Sequence, residues 1–474
     1  MSELITADIC VIGAGSGGLS VAAGASQMGA RVVLIEKGEM GGDCLNFGCV
    51  PSKSLLAAGH AAHTMRDPSR FGIAAVDPSV DFGRVRSHVQ GVIAAIAPND
   101  SVERFESLGV RVLCETARFT SSKELVAGDH RVRAKRFVIA TGSSPMVPPI
   151  PGLDTVPYFT NETIFANGER PAHLLVIGGG PIGMELAQAH RRLGAEVTVI
   201  EMARLLGKDD PELADIVIEQ IRAEGVALHG GTKVTGAEPA PAGVAVLGER
   251  DGQPVRFEGS HLLVAVGRSA NVAGLGLEEA GVDYSPRGIA VDAGLRTSNR
   301  KVFAIGDVAG PYQFTHMAGY HAGIVIRRAL FRLPAKVDYR AVPWVTYTDP
   351  ELAQVGATEA EAREKHGEAR VLHWPYAEND RAQAEHRTEG MIKVVTDKRG
   401  RVLGASIAGA HAGELLLPWC LMVEQRMKIG AMASVIAPYP TLSEVSKRAA
   451  GSYYTPSLFS DRTRKIVKLL LKLG

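Results

Sequence analysis

A chain of 474 residues with 46% hydrophobic side chains holds material for several buried cores, about three domains by length. Lysine plus arginine (52) nearly balances aspartate plus glutamate (51), which argues against a nucleic-acid partner and against an acidic tail. No apolar run reaches membrane-spanning length, and the N-terminus lacks the basic segment, apolar stretch and cleavage site of an export signal. A cytoplasmic location is therefore expected, where a persistent disulfide is usually catalytic or redox-sensing.

In chain order, a predicted strand over 8–11 runs into Ile12-Gly13-Ala14-Gly15-Ser16-Gly17-Gly18, followed by a helical stretch over 19–28 and a second strand over 31–35 that ends in Glu36. Gly13 makes the turn, Gly15 lets backbone amides approach a pyrophosphate at the helix N-terminus, and Gly18 allows close helix-strand packing. Glu36 accepts from a ribose hydroxyl.

Next comes Gly41-Gly42-Asp43-Cys44-Leu45-Asn46-Phe47-Gly48-Cys49-Val50-Pro51-Ser52-Lys53, with two thiols five positions apart. In a regular helix they would stand ~7.5 Å apart in rise and ~140° apart in rotation, too far for a sulfur-sulfur bond. A redox-active pair therefore requires the backbone to leave the helix between them. Gly48 permits that, and Pro51 suits the first turn of a new helix. A structural disulfide or half of a metal site are the alternatives. Only Cys10, Cys114 and Cys420 remain, single and in apolar or strand-like runs, so they read as buried spectators and no second pair completes a four-thiolate site. Lys53, one helical turn after Cys49, offers a cation that lowers thiol pKa.

The glycine grammar returns at Leu174-Leu175-Val176-Ile177-Gly178-Gly179-Gly180-Pro181-Ile182-Gly183, followed by a helix over 184–193 and a strand over 197–200 that ends in Glu201. Glu36 follows Gly13 by 23 residues, and Glu201 follows Gly178 by the same 23. One chain thus carries two dinucleotide sites. The Glu201 carboxylate accepts from the 2′- and 3′-hydroxyls of NAD and repels a 2′-phosphate, so NAD(H) is expected over NADP(H), although Arg204 stands close enough to weaken the preference. The first fingerprint leads directly into the cysteine loop. FAD there and NADH at the second site give a path from nicotinamide to flavin to the Cys44/Cys49 disulfide.

With Ala140-Thr141-Gly142, Val264-Ala265-Val266-Gly267-Arg268 and Val302-Phe303-Ala304-Ile305-Gly306-Asp307, residues 5–450 resemble the class I pyridine nucleotide-disulfide oxidoreductases, the family of dihydrolipoyl dehydrogenase, glutathione reductase and mercuric reductase. The resemblance implies an α/β fold of two Rossmann-like dinucleotide-binding domains plus a C-terminal α+β dimerisation domain. It implies an FAD domain of 1–145 and 265–340, an NAD(H) domain of 146–264 and an interface domain of 341–450, followed by a tail. It makes Cys44 the interchange thiol, Cys49 the charge-transfer thiol, Glu185 the partner of Lys53, and Asp307 the residue that holds the ribityl chain. Thr141, Gly142, Gly267 and Arg268 join the cofactor-binding set. In a homodimer of this kind, Tyr439 and Glu444 serve the other subunit's Cys44.

The chain departs from the family at Ala437-Pro438-Tyr439-Pro440-Thr441-Leu442-Ser443-Glu444, where most members carry a His in place of Tyr439, paired with the Glu, as acid-base catalyst. Tyrosine, with a reference pKa near 10 against ~6.5 for histidine, is a poor base at neutral pH. Weak lipoamide dehydrogenase activity is expected, with reductive half-reactions less affected. Mercuric reductases share the Tyr, but this chain shows no N-terminal metal-capture domain and no C-terminal cysteine pair. The alternative for Tyr439 is a packing role, with His316 or His411 as the base. The readings are thus an NADH-dependent reductase of a disulfide or soft acceptor, a dihydrolipoyl dehydrogenase, a mercuric-reductase-like enzyme, or a redox-sensing or membrane-docked flavoprotein. Residues 461–474 form a basic amphipathic pattern, with Lys465, Lys468 and Lys472 on one side and Ile466, Leu469, Leu470 and Leu473 on the other. Such a helix docks a membrane surface or a partner, or packs on its own dimer.

Overall fold

The computed structural model describes residues 3–473, so Gly474 at the end of the predicted tail helix lies outside it. Ile9, Cys10, Val11 and Ile12 are all at most 4% exposed, the pattern of a central strand covered on both faces. They belong to β1 (Glu3–Ile12), which is followed by helix α1 (Ser16–Gln27), β2 (Val32–Ile35), helices α2 (Gly42–Asn46) and α3 (Cys49–Arg66), and then β3 (Val110–Leu113), β4 (Ala117–Ser121), β5 (Glu124–Ala127) and β6 (His130–Ile139). The spatial order is β3-β2-β1-β6-β5-β4. β1 runs parallel to β2 and β6, and strand Val302–Ala304 returns much later in the chain to pair with β6. Cys10 and Ile12 face one core, while Ile9 and Val11 face another against α1 and the helix Thr315–Ala329.

Between β6 and its late partner, the chain builds a second parallel sheet. Its order is Ala227–His229, Glu196–Ile200, His173–Ile177 and His261–Val264, flanked by a three-stranded antiparallel meander over 232–259. The short strands Ser143–Pro145 and Arg268–Ala270 pair where the chain leaves and re-enters. A third sheet, five antiparallel strands from Pro343–Thr346 to Val402–Gly409, packs on the helix Ala412–Glu424 around the buried Trp419 and Tyr376. No helix among the described residues is long and apolar enough to cross a membrane.

The two glycine turns are superposable in their constraints. Gly13 (φ +104°) and Gly178 (φ +114°) each lie where a Cβ would stand 2.4 Å from a carbonyl oxygen, that of Ala140 and of Ala265 respectively. Only glycine fits either conformation or either space.

An ion-pair network ties the second sheet's helices to the third sheet. Arg192 is buried and pairs with Glu224 at 2.7 Å and Asp349 at 3.0 Å. Asp349 also meets His60 of α3 at 3.3 Å and is bonded by Arg387. Burial pushes the Asp349 carboxyl up, but His60, Arg387 and Arg192 outweigh it and hold the group well below the usual carboxylate range. Arg192→Met leaves Glu224 and Asp349 without their shared cation. It should cost about 3–5 kcal/mol, read as a lower urea midpoint.

Candidate active site

The helix break that the cysteine spacing requires is present. α2 ends at Asn46, Phe47 leaves helical geometry at φ −137°, and Gly48 (φ −121°, ψ −113°) precedes α3, which opens on Cys49 with Pro51 in its first turn. A Cβ on Gly48 would stand 2.8 Å from an Asp43 carboxylate oxygen and 3.0 Å from the Asp43 carbonyl oxygen, so the tight return leaves little room for a side chain. The loop lies directly on the first glycine turn, because Gly41 N–H donates to Ala14 O at 3.0 Å and a Cβ on Gly42 would stand 2.7 Å from the Gly15 Cα.

Cys44 and Cys49 are both free thiols here. The Cys44 hydrogen bond lowers the Cys49 pKa most, Thr315 and Lys53 add to it against burial, and the group comes down to about 6. Its partner moves the other way, since bonding to Cys49 and burial push the Cys44 thiol well above the ordinary range. The pair therefore keeps one proton on Cys44 and the negative charge on Cys49. Cys49 also stands at the first position of α3, and its sulfur is 3.5 Å from the Thr315 hydroxyl that opens the helix Thr315–Ala329. Two helix N-termini thus favour the thiolate.

Lys53 Nζ meets Glu185 Oε2 at 2.7 Å, on the helix Pro181–Arg192, with Glu185 buried. The same ammonium lies 4.2 Å from the centre of the Tyr347 ring, and the Tyr347 N–H donates to Glu185 Oε1 at 2.9 Å. Tyr347 follows the first strand of the third sheet, so one residue from each sheet region meets at this cation.

These groups line a single cavity of about 1500 Å³ that runs from Gly13 and Gly15 past Cys44, Cys49, Lys53 and Glu185 to Gly180 and Glu201. The residues fit dinucleotides at both ends. Gly15 and Gly180 sit at the N-terminal caps of α1 and of Pro181–Arg192, and a Cβ on either would meet nothing within 4 Å, so the space above each helix end is open for a pyrophosphate. Gly18 and Gly183 are the opposite case, with a Cβ 1.8 and 2.0 Å from the carbonyl oxygens of Gly13 and Gly178. Glu36 Oε2 accepts from Ala14 N–H at 2.6 Å and Glu201 Oε2 from Gly179 N–H at 2.7 Å, the same contact in both copies. Arg204 is held at 2.6 Å by Asp215. Thr141 donates to Asn271 O, and Gly142 (φ +67°) has open space where a Cβ would be. Gly267 (φ +140°) also lines the cavity.

Asp307 accepts from the Ser143 hydroxyl at 2.6 Å, and burial raises its pKa against that bond and Arg268. Arg268 makes its shorter contacts to Ser143, at 2.7 Å, and to Asp43 beside Cys44, at 3.0 Å. It thereby braces the cysteine loop as well as the cavity wall. His321 accepts from Gly306 N–H at 3.1 Å and so sets the turn that presents Asp307.

Tyr439 and Glu444 are not brought to the thiols within one chain, and neither lines the cavity. Tyr439 is 69% exposed, and its hydroxyl donates to Asp380 at 2.9 Å rather than to Glu444. That carboxylate bond raises its pKa further. His316 does line the cavity, but burial lowers its pKa and its ring bonds Pro343 O at 2.9 Å. His411 stands at the N-terminal cap of the helix Ala412–Glu424 and does not itself line the cavity.

The spectator reading of the remaining cysteines holds for Cys10 alone. Cys114 lies just past the end of β3 and is exposed, and Cys420 is half-buried on the cavity wall. Thr315, Tyr347, Asp43 and Ser143 escaped sequence reasoning because their chemistry depends on distant neighbours, with no local motif. Among the described residues no group of three or more His, Cys, Asp or Glu side chains is arranged to hold a metal.

Lys53→Met should raise the Cys49 thiolate midpoint from about 6 toward the ordinary ~8.5, followed by thiolate absorbance against pH in the reduced protein. Tyr347→Leu should raise it by less, and Tyr347→Phe, which keeps the ring, should leave it in place.

The family profile described as pyridine nucleotide-disulphide oxidoreductase matches residues 7–322, and the dimerisation domain of the same family matches 342–450. A mercuric reductase of Streptomyces lividans is 36% identical over 94% of this chain and 96% of its own length. A dihydrolipoyl dehydrogenase of Thermus scotoductus is 37% identical over 96% of this chain and 98% of its own. The solved structure of the HOCl-induced flavoprotein disulfide reductase RclA of Escherichia coli superposes with a TM-score of 0.84 at 27% identity, covering 94% and 99% of the two chains. This chain belongs to the pyridine nucleotide-disulphide oxidoreductases and is an FAD-dependent enzyme of that family.

Proposed function

We propose that this enzyme works as a homodimeric reductase: electrons pass from NADH held at the Gly178, Gly180, Gly183 and Glu201 turn, by way of FAD held at the Gly13, Gly15, Gly18 and Glu36 turn, to a Cys44–Cys49 disulfide. The resulting dithiol reduces a disulfide or another soft acceptor. The observation that carries this reading is the single cavity in which both glycine turns open on the same cysteine pair. Bound FAD supplies the two-electron relay between nicotinamide and disulfide.

The residues divide the remaining work. Cys49, held as thiolate by two helix N-termini and Lys53, is the charge-transfer thiol, and Cys44, which keeps the proton, is the interchange thiol that meets the acceptor. Lys53 neutralises negative charge that accumulates beside it, and Glu185 with Tyr347 fixes its direction. Asp307, Thr141, Gly142, Gly267 and Arg268 form the flavin cradle, with Arg268 also bracing Asp43. NADH is favoured over NADPH because Glu201 repels a 2′-phosphate and Asp215 engages Arg204, a cation on that stretch of the cavity wall.

The dimerisation-domain match supports a homodimer. So does an exposed apolar group in that region, in which Leu417 is 73% and Ile436 91% exposed. In the dimer, Tyr439 and Glu444 of one subunit complete the acceptor site at Cys44 of the other. A tyrosine whose hydroxyl proton is held by Asp380 and whose pKa that bond raises removes no proton there, which favours reduction of an acceptor over oxidation of a dithiol. Dihydrolipoyl dehydrogenase is the second reading, supported by a relative at 37% identity. A mercuric-reductase-like acceptor is supported by the tyrosine and by a relative at 36%. The cytoplasm is the proposed compartment.

Tyr439→His, beside the native enzyme, tests the direction of electron flow. NAD⁺ reduction by dihydrolipoamide should be slow in the native enzyme and rise about 10²–10⁴-fold with histidine. A fast native rate unchanged by the substitution would make this a dihydrolipoyl dehydrogenase with its base elsewhere. Glu201→Ala should cost about 10–100-fold in kcat/KM for NADH and far less for NADPH.

A further inference from the structure

The matched dimerisation domain ends at residue 450, and the chain continues beyond it in a tail that no part of the catalytic reading uses. After the helix Glu444–Ser452 come the short turn Thr455–Leu458 and the helix Asp461–Leu470. The last helix is firmly begun. Ser460 accepts from Thr463 N–H, and the Thr463 hydroxyl donates to Ser457 O at 2.7 Å. Of residues 461–473, Thr463 is the only one not exposed.

At about 100° per residue, Arg464, Lys465, Lys468 and Lys472 fall on one side of this helix and Leu469, Leu473, Ile466 and Leu470 on the other, with Arg462 of the first turn on the apolar side and Val467 and Leu471 beside Arg464. The apolar side is uncovered within the chain, with Ile466 48%, Leu469 61% and Leu470 58% exposed. Leu458 at 57% and Phe459 at 65% extend it from the preceding turn. Residues 461–473 carry five basic side chains against one acidic, although the whole chain nets only +1, so the rest of the molecule is net negative. Four of these five basic side chains lie on the polar flank of an uncovered apolar stripe. A helix of ten residues is about 15 Å long, half of a bilayer's hydrocarbon thickness.

We propose that the helix Asp461–Leu470, with Leu458 and Phe459, lies in the plane of an anionic phospholipid surface and holds the reductase there. The apolar stripe enters the boundary between headgroups and acyl chains, while Arg464, Lys465, Lys468 and Lys472 meet lipid phosphates. The charge selects this occupant. A bilayer with anionic headgroups satisfies both sides of the helix at once, whereas a second copy of the same net-positive helix satisfies only the apolar side. The inference does not depend on which acceptor the enzyme reduces.

The test uses the flavin-loaded full chain in flotation with phosphatidylcholine vesicles, with and without phosphatidylglycerol, at low and high salt. Binding should require the anionic lipid and weaken with salt. It should fall more than about tenfold in Lys465→Glu/Lys468→Glu and equally in Leu469→Asp/Leu470→Asp. Dimer size and NADH turnover should stay unchanged in both variants. Equal binding to both vesicle types, or full binding by the charge-reversed variant, would overturn the proposal. Dissociation of the dimer in Leu469→Asp/Leu470→Asp would overturn it too, by assigning the stripe to the partner subunit.

Discussion

The ammonium of Lys53 lies between the Glu185 carboxylate at 2.7 Å and the face of the Tyr347 ring at 4.2 Å, and the three residues come from helices and loops of three different sheets. Glu185 is buried, so its charge is tolerable only while Lys53 and the Tyr347 N–H satisfy it. That requirement fixes α3 against the helix Pro181–Arg192, and with it the distance between the cysteine pair and the second glycine turn. The Arg192–Glu224–Asp349 cluster, about two turns further along the same two helices, repeats the device with His60 in place of Lys53. Electrostatics that must be satisfied, rather than apolar packing alone, hold the two nucleotide ends of the cavity in register.

The same cation shapes the thiol chemistry. A lone cysteine near neutral pH is mostly protonated, but Cys49 gains a hydrogen bond from Cys44, the ends of two helices and the charge of Lys53. The result is a divided pair, one thiolate facing the cavity and one thiol beside it. In the family the proton on the second thiol is normally handled by a histidine. Here the corresponding residue is Tyr439, already engaged with Asp380. The division of charge between Cys44 and Cys49 is thus intact, while the residue at the family's histidine position is a poorer proton acceptor, and the proposed bias toward reduction rests on that asymmetry.

Internal duplication explains why one chain builds such a long cavity. Both glycine turns show the same two contacts, a first glycine against a later carbonyl and an acidic side chain returned to the turn's own amide. They differ in the segment beyond the acidic residue. After Glu36 the chain closes back over the first turn with Gly41 and Gly42 and delivers the thiols, whereas after Glu201 it leads to Arg204, bound to Asp215. The two ends of the cavity are therefore distinguished by loops, not by the shared unit.

The two fingerprints, the acidic residues 23 positions after each, the helix break between the thiols and the replacement of histidine by Tyr439 were all legible in the sequence, because each rests on backbone demands or side-chain chemistry local to a short segment. Most partners were not. Glu185, 132 residues from Lys53, came only through the family resemblance, while Thr315 lies 266 from Cys49 and Tyr347 lies 162 from Glu185, and no local pattern marks them. Exposed Cys114 and cavity-lining Cys420 were hidden for the same reason, since an apolar run says that a segment is near a core but not which way each side chain points. By itself the sequence determined which chemistry the chain carries and where the backbone must bend. Only the tertiary structure decided which charges meet, because ion pairing and burial depend on distances that close only when separate sheets pack together.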